Sequence, residues 1–342
     1  MVNIKAIRVS NAALKDSKYG SDLVGVFVGA TSGIGMGTLK QFAKLTKSPK
    51  AYIAVRSIQA ATPLLRELEA SNPDGTFILH QTEISLMKNV DTMCDEIKAK
   101  EEKVDIVFVS PGYLSFDDRN DSIEGIDIPH ALRYYTRFRF IHDLLPLLKK
   151  SSNPRVISIL AGGQESPIDL TDLEMRKDFS MMKAAKNGTT QTTLAFEELA
   201  KQNPTISFIH KYPGFVNTGV VARLMDTTAG VLWVPAQLFK YTILPLINVF
   251  LSMSVEEAGE RGLFLATSAM FPSTRGGGIG VPLPTGLSVA KDSGDGNGVY
   301  LLGATDDVQP ITPALRALRE ARGPAIVWES TLGIWERALG RS

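Results

Sequence analysis

Three glycines near the amino terminus have a spacing that suits phosphate binding. Gly29, Gly33 and Gly35 lie in the segment VGATSGIGMG, between an apolar run and an amphipathic helical pattern. Glycine allows a tight strand-to-helix turn and a close approach of the backbone, and the free amides of a helix N-terminus attract a pyrophosphate. The segment therefore predicts a dinucleotide site. The predicted cofactor contacts also include the remaining turn residues Thr31, Ser32 and Ile34.

One arginine indicates which dinucleotide to expect. Arg56 ends the next apolar run, about twenty residues beyond the glycines, where NAD-binding proteins carry an acid that holds the ribose 2′-hydroxyl. A guanidinium cannot accept hydrogen bonds from that hydroxyl, but it binds a 2′-phosphate through charge-assisted hydrogen bonds. The sequence therefore favours NADP(H). The alternative is an exposed arginine at a strand end with no ligand.

Strands and helices alternate over most of the chain. Seven short apolar runs predict strands, at residues 23–30, 51–56, 75–84, 104–112, 155–163, 205–214 and 298–304. A long helix is predicted from about Ile128 to Lys150, with Asp127 as its N-cap. This alternation predicts an α/β fold, a Rossmann-type doubly wound parallel sheet of about seven strands.

Composition and charge limit the possible partners and compartment. The net charge of +1 provides no field that would attract nucleic acid or an anionic membrane. The single cysteine, Cys94, excludes an internal disulfide, and the start of the chain lacks the apolar core of a secretory signal. The four histidines are too scattered to predict a metal site. We therefore expect a cytoplasmic protein without a metal and without a nucleic-acid partner.

The glycine spacing and later motifs resemble the short-chain dehydrogenase/reductase superfamily. VSPG, ending at Gly112, stands where that family has an Asn-Asn-Ala-Gly turn, and Glu83 stands where it usually has an aspartate beside the adenine. KYPGFVNTG resembles the Pro-Gly turn that closes over the nicotinamide. This resemblance implies cofactor contacts from Pro213, Gly214, Val216 and Thr218. Residues 133–148 and 327–335 are similar to fungal, retinol-dehydrogenase-like members.

The resemblance also implies domain limits and an assembly. We expect one domain over residues 1–342, with a core over about 22–270, a lid over about 222–255 and a C-terminal extension over 271–342. Many members of the family are dimers or tetramers, which implies a homo-oligomer.

The family's catalytic residues are altered in this sequence. The family uses a tyrosine as acid, a lysine that lowers the pKa of the tyrosine and binds the ribose, a serine on the substrate carbonyl and an asparagine in a proton relay. The serine position falls at Leu160 or Ala161, and neither residue has a hydroxyl. Arg133 stands at the asparagine position. The resemblance therefore implies a cofactor site with a degenerate catalytic tetrad.

The tyrosine is missing in both possible alignments of KDFSMMKAAK (177–186). The Phe-Ser-x-x-Lys pattern places Phe179 at the tyrosine and Lys183 at the lysine, whereas the distance to the Pro-Gly turn favours Met182 and Lys186. The sequence leaves both alignments open. Each of them removes the proton donor, and each retains a lysine for the cofactor ribose.

Four other residues are candidates to assist catalysis, and one of them is Tyr113, which directly follows the Gly112 turn. Arg133 can polarise a carbonyl, and Asp169 and Asp172, in the insert 162–178, can supply a proton on the substrate side. The alternative for Arg133 is a salt bridge on a helix surface. The alternative for the two aspartates is the capping of loop turns.

An apolar segment follows the Pro-Gly turn. Residues 231–253 contain one charge, Lys240, and reach the length of a membrane span, but Pro235 and Pro245 interrupt them. We expect a lid over an apolar pocket; peripheral membrane contact is the alternative, and a transmembrane span is not expected.

The leading expectation is an NADP(H)-dependent oxidoreductase that acts on a hydrophobic small molecule, as in secondary metabolism, without the usual Ser/Tyr pair. Two alternatives remain. One is a non-redox cyclase, isomerase or dehydratase on the same scaffold, and the other is a non-catalytic NADP(H)-binding protein.

Overall fold

The computed structural model is built on one parallel sheet. It describes residues 1–112, 118–219, 224–226, 237–238, 240–241, 252–276, 279–294 and 296–340. Within these ranges the sheet has seven strands in the order β3-β2-β1-β4-β5-β6-β7, and every neighbouring pair is parallel. The strands are β1 Val24–Val28, β2 Lys50–Val55, β3 Thr76–Gln81, β4 Ile106–Val109, β5 Arg155–Ile159, β6 Ser207–Lys211 and β7 Val299–Leu302. The predicted α/β fold and all seven predicted strands are confirmed.

Helices cover both faces of the sheet. The described helices are α1 Ile4–Leu14, α2 Gly33–Leu45, α3 Ile58–Ser71, α4 Met87–Lys100, α5 Ile128–His130, α6 Thr136–Leu148, α7 Met181–Gln202, α8 Val255–Thr267, α9 Pro313–Glu320 and α10 Gly323–Ala338. A hydrophobic core lies on each face of the sheet, and successive residues of a strand pack alternately into one core and the other. In β1, Val26 and Val28 pack on the side of α4, α6, α7 and α10, whereas Phe27 packs on the side of α2, α3 and α8.

The long helix predicted over 128–150 is interrupted. A π-helical turn, Ala131–Tyr135, separates α5 from α6, and Asp127 caps the start of α5 by accepting a hydrogen bond from the His130 amide at 2.9 Å. The predicted N-cap is confirmed. The π turn was not predicted, because the apolar spacing of α5 and α6 is compatible with one continuous helix. Such turns are frequent at functional sites.

The C-terminal segment is integral to the sheet. β7 pairs with β6, although it lies beyond the expected core limit of residue 270. Helix α10 packs against α7, and its Trp328 ring lies 6.2 Å from that of Phe138 in α6. The sheet therefore includes residues beyond position 270.

The expected lid at 222–255 lies outside the described residues, apart from short pieces. No helix in the described ranges is long and apolar enough to cross a membrane.

Candidate cofactor and active site

The strand order places a crevice at the carboxyl edge of the sheet. The chain runs from β1 to β2 and β3 on one side, and returns to β4 on the other side of β1. In doubly wound sheets, ligands bind at such a reversal, outside the carboxyl ends of the strands. The loops after β1 and β4 are therefore the expected walls of the site.

The glycine turn after β1 has the geometry that a close-approach turn needs. Gly29 has a φ of 78°, and a Cβ there would lie 2.5 Å from the backbone nitrogen of Pro111, which follows β4. Gly33 has a φ of 56°, and a Cβ there would lie 2.9 Å from Cγ2 of Thr218. Side chains at these two positions would be strained and would clash with the neighbouring loops. The fold thus brings Thr218 against the turn.

The amino terminus of α2 is open to a ligand. Ser32 is the N-cap, but its side chain makes no capping hydrogen bond, and the first turn contains no acidic residue. Thr31 and Ser32 are exposed, and Ile34 is half-buried. An uncapped helix N-terminus presents free amides and a partial positive charge. The residues present therefore fit a dinucleotide pyrophosphate.

Arg56 lies beside this turn with its guanidinium available. It is exposed and directly follows β2, the strand that pairs with β1. Among the residues that the structure describes, none forms a hydrogen bond or an ion pair with it. A second sequence-predicted contact, Glu83, is exposed after β3, and its Oε1 accepts hydrogen bonds from the Ser85 amide at 3.1 Å and hydroxyl at 2.9 Å. Glu83 therefore organises the turn that leads into α4.

The loops after β4 and β6 complete the walls of the crevice. Gly112, with a φ of 150°, ends the described part of the β4 loop, and Tyr113 lies outside the described residues. After β6, a Cβ on Gly214 would lie 2.8 Å from Cβ of Ala304, so the Pro213–Gly214 turn packs closely on the β7 loop. Val216 forms a parallel bridge with Met253.

The tyrosine-lysine region lies at the start of α7. Ser180 caps this helix, so Phe179 precedes it, whereas Met182 and Lys186 are one turn apart within it. Met182 and Lys186 are both exposed. Lys183 pairs with Asp178 at 3.4 Å. Helix α7 contains no tyrosine.

The two predicted aspartates cap loop turns. Asp169 is exposed and accepts hydrogen bonds from the amide and hydroxyl of Thr171 at 2.8 and 2.7 Å, which lower the pKa of Asp169. The carboxylate of Asp172 is buried and accepts from the amides of Arg176 and Lys177 at 2.8 and 3.1 Å. These contacts favour the capping alternative over a proton donor.

Arg133 is buried within the π turn rather than exposed on a helix surface. Only 8% of the residue is exposed, and a Cβ on Gly188 of α7 would lie 3.3 Å from Cβ of Arg133. Burial, with the nearby charge of Arg133, lowers the pKa of His130 to about 3. The π turn thus brings a cation to the interface between α5 and α7.

A buried polar network that sequence reasoning missed supports the loop after β5. The Ala161 amide donates to His210 Nε2 at 3.2 Å, so the proton of the neutral imidazole is on Nδ1. His210 Nδ1 can then donate to Thr193 Oγ1 at 2.9 Å, and Thr193 Oγ1 donates to Glu165 Oε1 at 2.7 Å. Burial lowers the pKa of His210 to about 3 and raises the pKa of Glu165. This network fixes the segment at the family's serine position, Leu160–Ala161.

The sheet reversal and the glycine turn define a dinucleotide-binding protein of the Rossmann class. The chain belongs to the short-chain dehydrogenase family: the family described as "short chain dehydrogenase" matches residues 24–229, more than half of the chain. It is an enzyme of the short-chain dehydrogenase/reductase type.

Curated relatives and solved structures agree with this assignment. The chain is 39% identical over 343 residues to "Oxidoreductase AN1596" of Emericella nidulans, covering 100% of both chains. It is 34% identical over 348 residues to "NmrA-like family domain-containing oxidoreductase notO" of an Aspergillus species, covering 100% of this chain and 98% of the relative. Among solved structures, L-sorbose reductase from Gluconobacter frateurii, complexed with NADPH and L-sorbose, has a TM-score of 0.55 at 15% identity. The match covers 78% of this chain and 95% of that one, and it supports the fold alone.

Proposed function

We propose that the protein is an NADP(H)-dependent oxidoreductase that acts on a hydrophobic small molecule in fungal secondary metabolism. The observation that carries the cofactor assignment is the exposed Arg56, free of partners among the described residues, beside the uncapped N-terminus of α2. A free guanidinium next to a pyrophosphate site suits a 2′-phosphate. Fungal relatives named as oxidoreductases over the full chain support the reaction class.

The substrate is proposed to be apolar because large apolar side chains are exposed on connections that follow the carboxyl ends of strands. Met182 in the first turn of α7 is 59% exposed, and Phe215 after the Pro-Gly turn is 63% exposed. Exposed apolar side chains grouped on one side of a protein often mark a ligand site.

The proposed reaction proceeds without the family's proton donor. NADP(H), when bound, supplies or accepts a hydride, and Lys186 on α7 is the proposed ribose contact. A positioned general acid typically contributes about 10²- to 10⁴-fold to the rate. The absence of a tyrosine from α7 therefore favours a substrate that needs little protonation at its oxygen, such as an iminium or an activated enone.

The altered tetrad also favours a second candidate, a non-redox isomerase, cyclase or dehydratase on the same scaffold. Such an enzyme would retain the dinucleotide site and turn over its substrate without oxidising the cofactor.

Calorimetric titration with NADPH, NADH and ADP-ribose tests the cofactor proposal. We expect 1:1 binding of NADPH and at least about tenfold weaker binding of NADH, the factor that corresponds to 1.4 kcal/mol. ADP-ribose has the pyrophosphate but no 2′-phosphate, so it should also bind more weakly. An absence of NADPH binding to the folded protein would contradict the proposal.

A further inference from the structure

Arg137 is a fully buried arginine at the carboxyl ends of β4 and β5. Its Nη1 donates to the carbonyl oxygens of Val109 and Ile159 at 3.1 and 2.8 Å, and to the Ser158 hydroxyl at 2.8 Å. Its Nη2 donates to the Pro111 carbonyl. Only 1% of the residue is exposed to solvent. The guanidinium therefore joins the last residues of two central strands.

No carboxylate in the described part of the chain lies within ion-pair distance of Arg137. Its acceptors there are carbonyl oxygens and one hydroxyl, which solvate the cation without neutralising it. Burial lowers the pKa of Arg137 to about 9, and the charge of Arg133 acts in the same direction. The guanidinium remains charged at neutral pH. A buried cation without a counter-ion is costly, and the cost falls when an anion binds nearby.

The charge of Arg137, which has no counter-ion among the described residues, lies next to the proposed site. A Cβ on Gly29, in the glycine turn, would lie 2.5 Å from the backbone nitrogen of Pro111, whose carbonyl binds Arg137. A Cβ on Gly112 would lie 3.9 Å from Arg137 Nη2. On the other side, the Ile159 carbonyl precedes Leu160–Ala161, the segment at the family's serine position. Arg137 therefore lies on the interior side of the crevice, where the loops that follow β4 and β5 begin.

We propose that Arg137 is an electrostatic positioning residue that stabilises negative charge on the substrate oxygen, an alkoxide or enolate, at the carboxyl ends of β4 and β5. A fixed, preorganised charge in a region of low dielectric stabilises a developing anion without reorganisation. This charge replaces part of what a tyrosine acid provides, in a site whose helix α7 has no tyrosine. The proposal rests on the proposed function for the identity of the oxygen, whereas the field of Arg137 can be measured without any substrate.

The field can be measured with a cysteine introduced at residue 161. Ala161 is half-buried and two residues beyond the carbonyl that Arg137 binds, and the native Cys94 is buried, so iodoacetamide should label the introduced thiol selectively. The pH dependence of alkylation gives the thiol pKa. We expect Ala161→Cys to have a thiol pKa at least about one unit below the ordinary value of about 8.5. Arg137→Gln in the same background should raise it by about one unit.

Arg155 provides a matched control. It is also fully buried, donates only to carbonyl oxygens of the described residues (Phe271, Ser268 and Ile279), and lies at the opposite end of β5. Arg155→Gln should destabilise the fold comparably but leave the thiol pKa unchanged. The other titratable groups that face the segment, Glu165 and His210, are the same in every variant.

Each outcome decides the proposal. A thiol pKa at or above about 8.5 in Ala161→Cys, or equal shifts in the Arg137 and Arg155 variants, would overturn it. If Arg137→Gln does not fold, the Ala161→Cys measurement still overturns the proposal when the thiol pKa is not lowered. Calorimetry with NADPH shows whether Arg137 stabilises an anion of the cofactor or an anion of the substrate. We expect Arg137→Gln to change NADPH affinity less than about threefold, and a loss of tenfold or more would assign the charge to the cofactor pyrophosphate and contradict a role at the substrate. Because neither measurement requires turnover, a failure here is distinguishable from a failure of the proposed redox function.

Discussion

Replacing Arg56 by aspartate should reverse the cofactor preference. The guanidinium is exposed at the end of β2 and has no partner among the described residues, so all its donors are available to a 2′-phosphate. Hydrogen bonds to charged groups contribute about 1.5–3 kcal/mol, which corresponds to about 10- to 150-fold in affinity. Aspartate removes this gain, repels the phosphate and can accept hydrogen bonds from a ribose 2′-hydroxyl. We therefore expect NADPH to bind at least about tenfold more weakly to Arg56→Asp, and NADH to bind as tightly or more tightly.

The assay is isothermal titration of each protein with both nucleotides. Arg66→Asp is the matched control, because Arg66 is exposed on the neighbouring helix α3 and has no described partner. It reproduces the change in net charge at a site away from the strand end. Neither substitution breaks a described contact, so the free energy of unfolding should change by less than about 0.5 kcal/mol. Equal affinities of the parent protein for NADPH and NADH, or equal effects of the two substitutions, would refute the assignment of Arg56.

Three further predictions address the site and the residues that support it. Lys186→Met should weaken NADPH binding by about tenfold and Lys183→Met by less than about twofold, because only Lys186 follows Met182 by one helical turn. A fluorescence titration with NADPH measures both affinities, and the opposite order would select the alignment with Phe179 and Lys183. The parent should lose about 1–2 kcal/mol of unfolding free energy as the pH falls from about 6.5 to 5, and His130→Phe should not. The reason is that His130 has a pKa of about 3 in the folded protein, so protons bind to this histidine in the unfolded chain and stabilise the unfolded state. Urea unfolding of both proteins at the two pH values measures this, and parallel curves would contradict it. Thr193→Val should lower the unfolding free energy by about 1–3 kcal/mol, since Glu165 loses a buried donor. Thr171→Val, at an exposed turn, is the control for that substitution and should cost less.

The strands and the phosphate turn were predictable because their causes are local. A strand that is buried on both faces has a continuous run of apolar residues in the sequence. The turn requires glycine at a fixed spacing, as Gly29 and Gly33 show. Arg56 was predictable as a candidate for the same reason, because its position is counted from the turn.

The polar supports of the site were not predictable, because their partners are distant in sequence. Thr193 is separated from Glu165 by 28 residues and from His210 by 17, and only the packing of α7 against β6 brings the three together. Arg137 likewise has partners from distant parts of the chain, the carbonyl oxygens of Val109, Pro111 and Ile159. Nothing in the sequence around Arg137 marks these contacts, so it was not a candidate site residue.

The most direct test of the central claim is the fate of deuterium carried at C4 of NADPH. The purified protein is incubated with this cofactor and, in separate reactions, with 2-cyclohexenone as an activated enone and with cyclohexanone as a simple ketone. We expect deuterium in the product of the enone and a rate for the ketone that is at least about 100-fold lower, because no tyrosine on α7 supplies the proton. Reduction of the ketone as fast as the enone, or consumption of the enone without deuterium transfer and without oxidation of NADPH, would contradict an oxidoreductase that works without the usual acid.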